Sequence, residues 1–359
     1  MKSRWLIVVV LGVAGLGWTA PQVIGRAAAE EPQDPAALVV EPNDAVERSD
    51  EPAPPKEELA AVIDRKRLSR SGALRVLQAL PGEEVRIPLM WTAPRPGRVT
   101  YRWVASGSAD RRAQGAGWAV LGEAGEAEAP AEPGIYRLEL RGAGQILLVD
   151  DFDLIVKVPF HAKKSGYLKG YLIGTYPAES RRRPPGDRYA PPEGFIEVTR
   201  ENRGLRLSDH FAIGEFLTKN QANVWPKYVV VEPRLVDKLE LVLQELNAMG
   251  VKAERMVVMS GYRTPQYNRQ GLNRGRASLS RHQFGDAADV WVDNDGDWYM
   301  DDLNGDGRRD TRDARVMLEA VERVERKYPE LVGGAGIYPD NGVHGPFIHI
   351  DVRGTRARW

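Results

Sequence analysis

Apolar residues recur along the chain with two different periods, and the switch between them divides it. From about residue 82 to 158 the runs are short and bounded by Pro or Gly: "EEVRIPLMW", "GRVTYRWVA", "GWAVLGE", "GIYRLELRG" and "ILLVDDFDLIVKV". Successive side chains of a strand face opposite sides, so such runs predict strands. Several at this spacing predict an all-β, immunoglobulin-like sandwich over residues 67–160. Ahead of it, "ELAAVIDRKRLSRSGALRVLQAL" predicts a short helical segment. Beyond residue 161 the period lengthens. In "PRLVDKLELVLQELNAMG", Leu235, Leu239, Val242 and Leu246 recur three or four residues apart and Gly250 follows, which predicts an amphipathic helix with its stop. "DARVMLEAVERVERKYP" predicts a second helix ended by Pro329, and Ser208 opens a helix-cap pattern in "LSDHFAIGEFL". "GYLKGYLIGTYP" reads as a strand pair and "RRRPPGDRYAPPEG" as an exposed loop. "ERMVVMSGYRT" reads as a buried strand and turn, "PFIHIDVRG" as a last strand. Helices mixed with short strands predict an α+β domain with a small antiparallel sheet over residues 161–359.

The first 66 residues follow neither period. Lys2 and Arg4 precede the fourteen-residue apolar run Trp5 to Trp18, and "GRAAAE" offers small residues for cleavage after Ala29. Residues 1–29 are therefore expected to be a signal peptide or an uncleaved N-terminal membrane anchor, which places the body of the protein outside the cytoplasm, in the periplasm or cell envelope. Residues 30–66 are acidic and Pro-rich with little to bury, a disordered linker. Ten acids against Arg48 and Lys56 give residues 30–58 a charge of −8, and residues 1–29 carry +3. The whole chain is neutral, so the remainder holds only +5, too weak a field to argue for nucleic acid. There is no cysteine, so stability rests on core packing and bound ions.

Chemistry concentrates in the last fifth of the chain. Of five histidines, His282, His344 and His349 lie there beside acids and glycines. A catalytic zinc site takes three protein ligands and leaves one position open. His282, with Asp289 at the head of "DVWV" and His349 inside "FIHID", can supply them from neighbouring strands. Spacing alone leaves a metal site and a hydrogen-bonded structural cluster both open.

Four ordered motifs, "SGYRTPQYN", "SRHQFGDAADV", "GGAGIYP" and "FIHIDVRG…RARW", together resemble the zinc D-alanyl-D-alanine peptidase family of cell-wall enzymes, and within it the murein endopeptidase branch. "LSDHFAIGEFL" and Tyr189 to Thr199 share the resemblance, which covers roughly residues 165–359. It implies His282, Asp289 and His349 as zinc ligands and Arg263 as the cation that steadies charge developing on the scissile carbonyl oxygen. It implies Ser280 and Tyr262 as substrate contacts. The glutamate that some members carry three residues before the last histidine is replaced by Pro346. Another branch uses a histidine five residues before that ligand, and His344 stands there as the implied general base. Asp351, two residues past the ligand, is placed to orient it or to form a structural pair.

An acidic insertion, residues 293–313, interrupts this domain. Asp302, Asn304, Asp306, Arg308, Asp310 and Asp313 take positions 1, 3, 5, 7, 9 and 12 of a calcium loop of the dockerin type, with Gly307 at the tight turn. Asp293, Asp295 and Asp297 begin a second site of the same kind. The expected protein is thus an exported zinc metallopeptidase with structural Ca²⁺, acting on peptidoglycan as a murein endopeptidase. Its rivals are a D-alanyl-D-alanine carboxypeptidase and a non-catalytic, calcium-stabilised cell-wall-binding protein.

Overall fold

In the computed structural model the described residues are 57–106, 117–180, 189–272 and 276–359. The expected signal or anchor, most of the linker and much of the "RRRPPGDRYAPPEG" loop lie outside them. The helix expected over residues 58–80 is replaced by a strand, Ala61–Ile63, a single helical turn, Arg65–Leu68, and a second strand, Val76–Ala79. Leu59, Ala61 and Ile63 alternate inward and are buried, and Ser69 to Gly72 breaks the helix, with Gly72 at positive φ. Strand and helix residues therefore already occur inside the segment expected as linker.

The β-rich part is built on a five-stranded sheet. Its long hairpin, Gly134–Gly142 and Gln145–Val156, is flanked on one side by Val76–Ala79, which is parallel, and on the other by Thr100–Ala105 and Ala119–Val120. Two two-stranded ribbons, Ala61–Ile63 with Leu89–Trp91 and Glu84–Arg86 with Glu126–Glu128, share one core with it. Trp103, Leu138, Leu140 and Leu154 fill that core.

Pleating ties this part to the rest of the chain. Along the Gln145–Val156 strand, Leu154 and Val156 enter the first core while Ile155 enters the larger one that follows. Both belong to one unit, Pro55–Trp359. Asp209 accepts hydrogen bonds from Arg65 at 2.6 Å and Arg75 at 2.9 Å. Asp237 accepts from the backbone N–H groups of Arg70 and Ser71. The β-rich part is thus fixed to the helical one by buried and half-buried polar contacts as well as by packing.

In the C-terminal part the structure is mixed α and β, rich in sheet. The expected strand pair forms at Tyr167–Leu168 and Tyr171–Leu172. A five-stranded sheet carries the site, in the order Met256–Ser260, Ala287–Val292, Phe347–Asp351, Gly334–Tyr338, Ala357–Arg358. All its pairs are antiparallel except the last. Helices Pro233–Ala248 and Thr311–Lys327 pack on each other, and the second lies against the sheet. Leu235, Leu239, Val242 and Leu246 are buried, as their spacing predicts. Pro233 starts that helix at a position where its missing N–H costs nothing, and Gly250, at φ 82°, follows its end. "LSDHFAIGEFL" forms a 3₁₀ turn, Ile213–Phe216, rather than an α-helix. Between the helices, fully buried Lys238 bonds Glu325 and the carbonyl of Asp351. Such a pair holds the back of the sheet in one arrangement, since the buried Lys238 charge does not tolerate losing Glu325, which Arg358 also binds.

Candidate metal centre

The functional side chains share one rung of the sheet. Ser260 pairs with Asp289, Asp289 with His349, and His349 with Gly336. Alternation sends Ala288, Val290, Ile348 and Ile350 to the hydrophobic core and leaves the rung on the opposite face. His282 arrives from the 3₁₀ turn Arg281–Phe284. Gly285 ends that turn at φ 72°, where an added Cβ would stand 2.3 Å from the Val230 carbonyl. This "HQFG" bend therefore requires glycine. The "SGYR" turn is tied to it, because the Arg263 N–H donates to the His282 carbonyl at 3.0 Å.

His282, Asp289 and His349 bring their inner atoms together. His282 Nε2 lies 3.2 Å from both Asp289 Oδ1 and His349 Nδ1, and the latter is 2.9 Å from Asp289 Oδ1. The outer nitrogens are committed elsewhere. His282 Nδ1 donates to the Gly261 carbonyl at 2.7 Å, and His349 Nε2 donates to the Asp351 carboxylate at 3.2 Å. Each neutral ring then presents a lone pair inward, so three acceptors face one point. That is the donor set of a zinc site, whose ligand atoms, bonded at about 2.0–2.1 Å, stand roughly 3.3 Å apart. The outer bonds are the partners that fix tautomer and ring orientation.

The electrostatics agree with neutral imidazole at His282, where burial, reinforced by Arg263 and His349, pushes its pKa down to about 4 against the pull of Asp289. Burial also works against ionisation of Asp289, but His282, His349 and Arg263 hold it well below the usual carboxylate range. Asp351 is depressed too: burial opposes this, and bonds from His349 and Arg353 outweigh it. His349 is raised, because its bonds to Asp289 and Asp351 overcome the effect of burial.

Arg263 uses Nε on Ser260 Oγ at 2.8 Å and Nη2 on Asp289 Oδ2. Arg263 also lines a cavity of about 490 Å³, which His344 shares. His344 Nδ1 donates to the Gly345 carbonyl at 2.8 Å, which leaves Nε2 as an acceptor, and its ring meets Phe347 edge-on. The two residues expected to act on substrate thus line one cavity.

Other expectations are placed differently. Tyr262 lines the same cavity but is only 1% exposed, and its hydroxyl is bonded to that of Tyr176 at 2.7 Å. Ser280 precedes the 3₁₀ turn, where its carbonyl accepts from Gln283 N–H at 3.1 Å. It is not among the residues lining the cavity.

In the insertion, both acidic loops fold alike. Asp293 accepts the N–H groups of Gly296, Asp297 and Trp298, as Asp302 accepts those of Gly305, Asp306 and Gly307. Carboxylates of Asp293, Asp295 and Asp297 approach one another within 4.8 Å. Among the described residues, the expected principal loop gathers no such group. Asp306 and Asp310 pair with Arg312, and buried Asp313 caps its helix, accepting the N–H groups of Leu303, Asn304 and Asp310. Arg308 N–H bonds Asp306.

The sequence reading missed three further features of the site. Ser260 orients Arg263; Trp359 lies 5.3 Å from the His349 ring; and Gly336 leaves room for that indole, since a Cβ there would stand 2.3 Å from it. Only "RARW" hinted at the second of these.

Residues 209–304 match the family model described as Peptidase M15. The match includes Arg263, His282 and Asp289 and ends before His344 and His349. No curated protein and no solved structure gives a significant match. The stretch that builds the first two corners of this centre and its arginine is thus similar to the Peptidase M15 family, of the zinc D-Ala-D-Ala peptidase type.

Proposed function

We propose that this protein is an exported zinc metallopeptidase that hydrolyses peptide cross-links of bacterial peptidoglycan, a murein endopeptidase. The observation that carries the reading is the convergence of three acceptors, His282 Nε2, Asp289 Oδ1 and His349 Nδ1, with both outer nitrogens already committed. These residues would hold the zinc, which when bound supplies Lewis acidity to polarise the scissile carbonyl and activate water. His344 Nε2 takes the proton of the attacking water and returns it to the leaving amine. The Arg263 N–H groups not used on Ser260 and Asp289 face charge developing on the carbonyl oxygen.

The proposal extends to the remaining parts. Calcium would bind the insertion at Asp293, Asp295 and Asp297, whose carboxylates approach one another; an ion at the Asp302–Asp313 loop would have to displace Arg312 from Asp306 and Asp310. The β-rich part, read as an immunoglobulin-like sandwich, would position the enzyme on the wall. Lys2, Arg4 and the apolar run after them support export to the periplasm or cell envelope, with cleavage or anchoring at the N-terminus. Among the described residues no helix is long and apolar enough to cross a membrane.

A carboxypeptidase acting on D-Ala-D-Ala termini is the second reading, favoured by Lys219 and Arg276 in the same cavity. The test is to incubate the zinc-loaded protein with peptidoglycan and weigh the fragments by mass spectrometry, beside His282→Ala. Splitting of cross-linked dimers by the native protein alone upholds the endopeptidase. Loss of terminal alanine alone selects the carboxypeptidase. Zinc bound with no peptide released refutes both.

A further inference from the structure

The acidic insertion reaches the loop that carries His344. After Asp297 it runs Trp298, Tyr299, Met300. Met300 is fully buried, and the Asp301 N–H donates to the Val292 carbonyl at 3.0 Å, so this stretch is pinned to the strand that holds Asp289. Trp298 lines the same cavity as His344. Tyr299 turns the other way, onto the His344 loop. Its hydroxyl donates to Asp340 Oδ2, and its ring meets the Gly345 backbone so closely that a Cβ there would stand 2.5 Å from Cε2. Arg309, paired with Asp297, lies 4.7 Å over the same ring.

Residues 340–345 have little else to fix them. The Gly342 N–H donates to Asp340 at 2.7 Å, and the N–H groups of Val343 and His344 donate to Asn341 at 3.0 and 3.2 Å. The Asn341 N–H returns to the His344 carbonyl at 3.3 Å. These bonds close the loop on itself without orienting it against the metal centre, and Val343 at its tip is 90% exposed. Among the described residues, the Tyr299 hydroxyl makes the one hydrogen bond that reaches the loop from elsewhere in the chain. Its acceptor is charged: the Tyr299 hydroxyl and then the Gly342 N–H hold Asp340 below the usual carboxylate range. A proton acceptor must stand within about 2.6–3.2 Å of the group it serves, so a loop free to swing would lose that geometry.

On the peptidase reading above, in which His344 takes the proton, we propose that Tyr299 is a positioning residue. Its hydroxyl on Asp340 and its ring against Gly345 hold the His344 loop at the cavity. The insertion thus braces the proton acceptor from outside the loop. Tyr299 acts through His344 and touches neither the substrate nor the metal ligands.

The test is steady-state hydrolysis of a cross-linked muropeptide dimer by the zinc-loaded full chain, with zinc content measured in parallel. Tyr299→Phe keeps the ring and loses the hydroxyl. It should lower kcat by about tenfold, the lower end for one hydrogen bond to a charged group, and leave KM and zinc content unchanged. Tyr299→Ala should lower kcat further. Asp340→Asn, which can still bond the hydroxyl, should keep more activity than Asp340→Ala. In a His344→Ala background Tyr299→Phe should change nothing, because the group it positions is gone. Native kcat in Tyr299→Phe, a loss confined to KM, or an equal loss in both backgrounds overturns the proposal. If the native protein releases no fragment, the peptidase reading fails and the brace is judged by amide hydrogen exchange. Faster exchange of residues 340–346 in Tyr299→Phe, with Ala287–Val292 unchanged, upholds the brace, and equal exchange overturns it.

Discussion

Replacing Asp351 by Asn would change the charge behind His349 at nearly constant volume. The native carboxylate is fully buried and accepts from His349 Nε2 at 3.2 Å, Gly334 N–H at 2.7 Å, and the Arg353 Nε and Nη2 groups. The amide keeps one acceptor and turns an N–H₂ toward groups that are all donors. Removing one partner of a buried ion pair costs about 3–5 kcal/mol. The Arg353 side chain retains 23% exposure and can be partly resolvated, so about 3 kcal/mol of folding stability is the expected loss. The second effect is on the metal. His349 would orient against a neutral acceptor, and loss of such an outer carboxylate weakens metal binding by about 10–100-fold, or roughly 1.4–2.7 kcal/mol. Competition with a chromogenic chelator measures the zinc affinity, and urea unfolding of the metal-free protein measures the folding term. A folded Asp351→Asn protein that binds zinc as tightly as the native one would refute the role given to Asp351.

Further outcomes follow from the same geometry. His344→Ala should lower kcat by about 10²–10⁴-fold with zinc content unchanged, measured by steady-state kinetics beside metal analysis; full activity would remove His344 as the base. Gly285→Ala combines a left-handed φ with contact against the Val230 carbonyl. It should cost at least about 2 kcal/mol, and an unchanged melting temperature would contradict that. The metal-free protein should show an acid-side loss of stability traceable to His282. Its folded pKa, about 4, lies below the unfolded value of about 6.5, so the unfolded chain takes the proton first. The contribution is complete above that unfolded value and falls, by up to roughly 3 kcal/mol, as the pH drops toward the folded one. Burial at 2% exposure leaves little solvent screening to discount. Urea midpoints across that range, native against His282→Gln, isolate the term from the opposite trend of His349; parallel curves would disprove it.

Legibility in the sequence followed the range of the interactions. The helix Pro233–Ala248 was readable because one periodic apolar face decides it locally. The strands carrying Asp289 and His349 were readable because "DVWV" and "FIHID" are short apolar runs, while a metal site and a structural cluster stayed equally open for their polar members until the ordered motifs were added. Residues 58–80 were misread because helix formers outnumber strand formers there, while the alternation of Leu59, Ala61 and Ile63, which decides the outcome, matters only once the facing ribbon exists. Tyr262 carries an aromatic-polar side chain in a functional motif, and nothing local tells that Tyr176, 86 positions earlier, will cover it. Lys219, Arg276 and Trp298 meet only through tertiary folding, and no spacing rule connects them.

Because Asp289 and His349 stand directly opposite each other on adjacent antiparallel strands, the centre also acts as a check on alignment. A slip of one residue would turn either side chain into the hydrophobic layer and leave an alanine, valine or isoleucine in its place. Binding of a metal here would therefore be coupled to one pairing of these strands, and an ion captured during folding would discriminate against misaligned sheets.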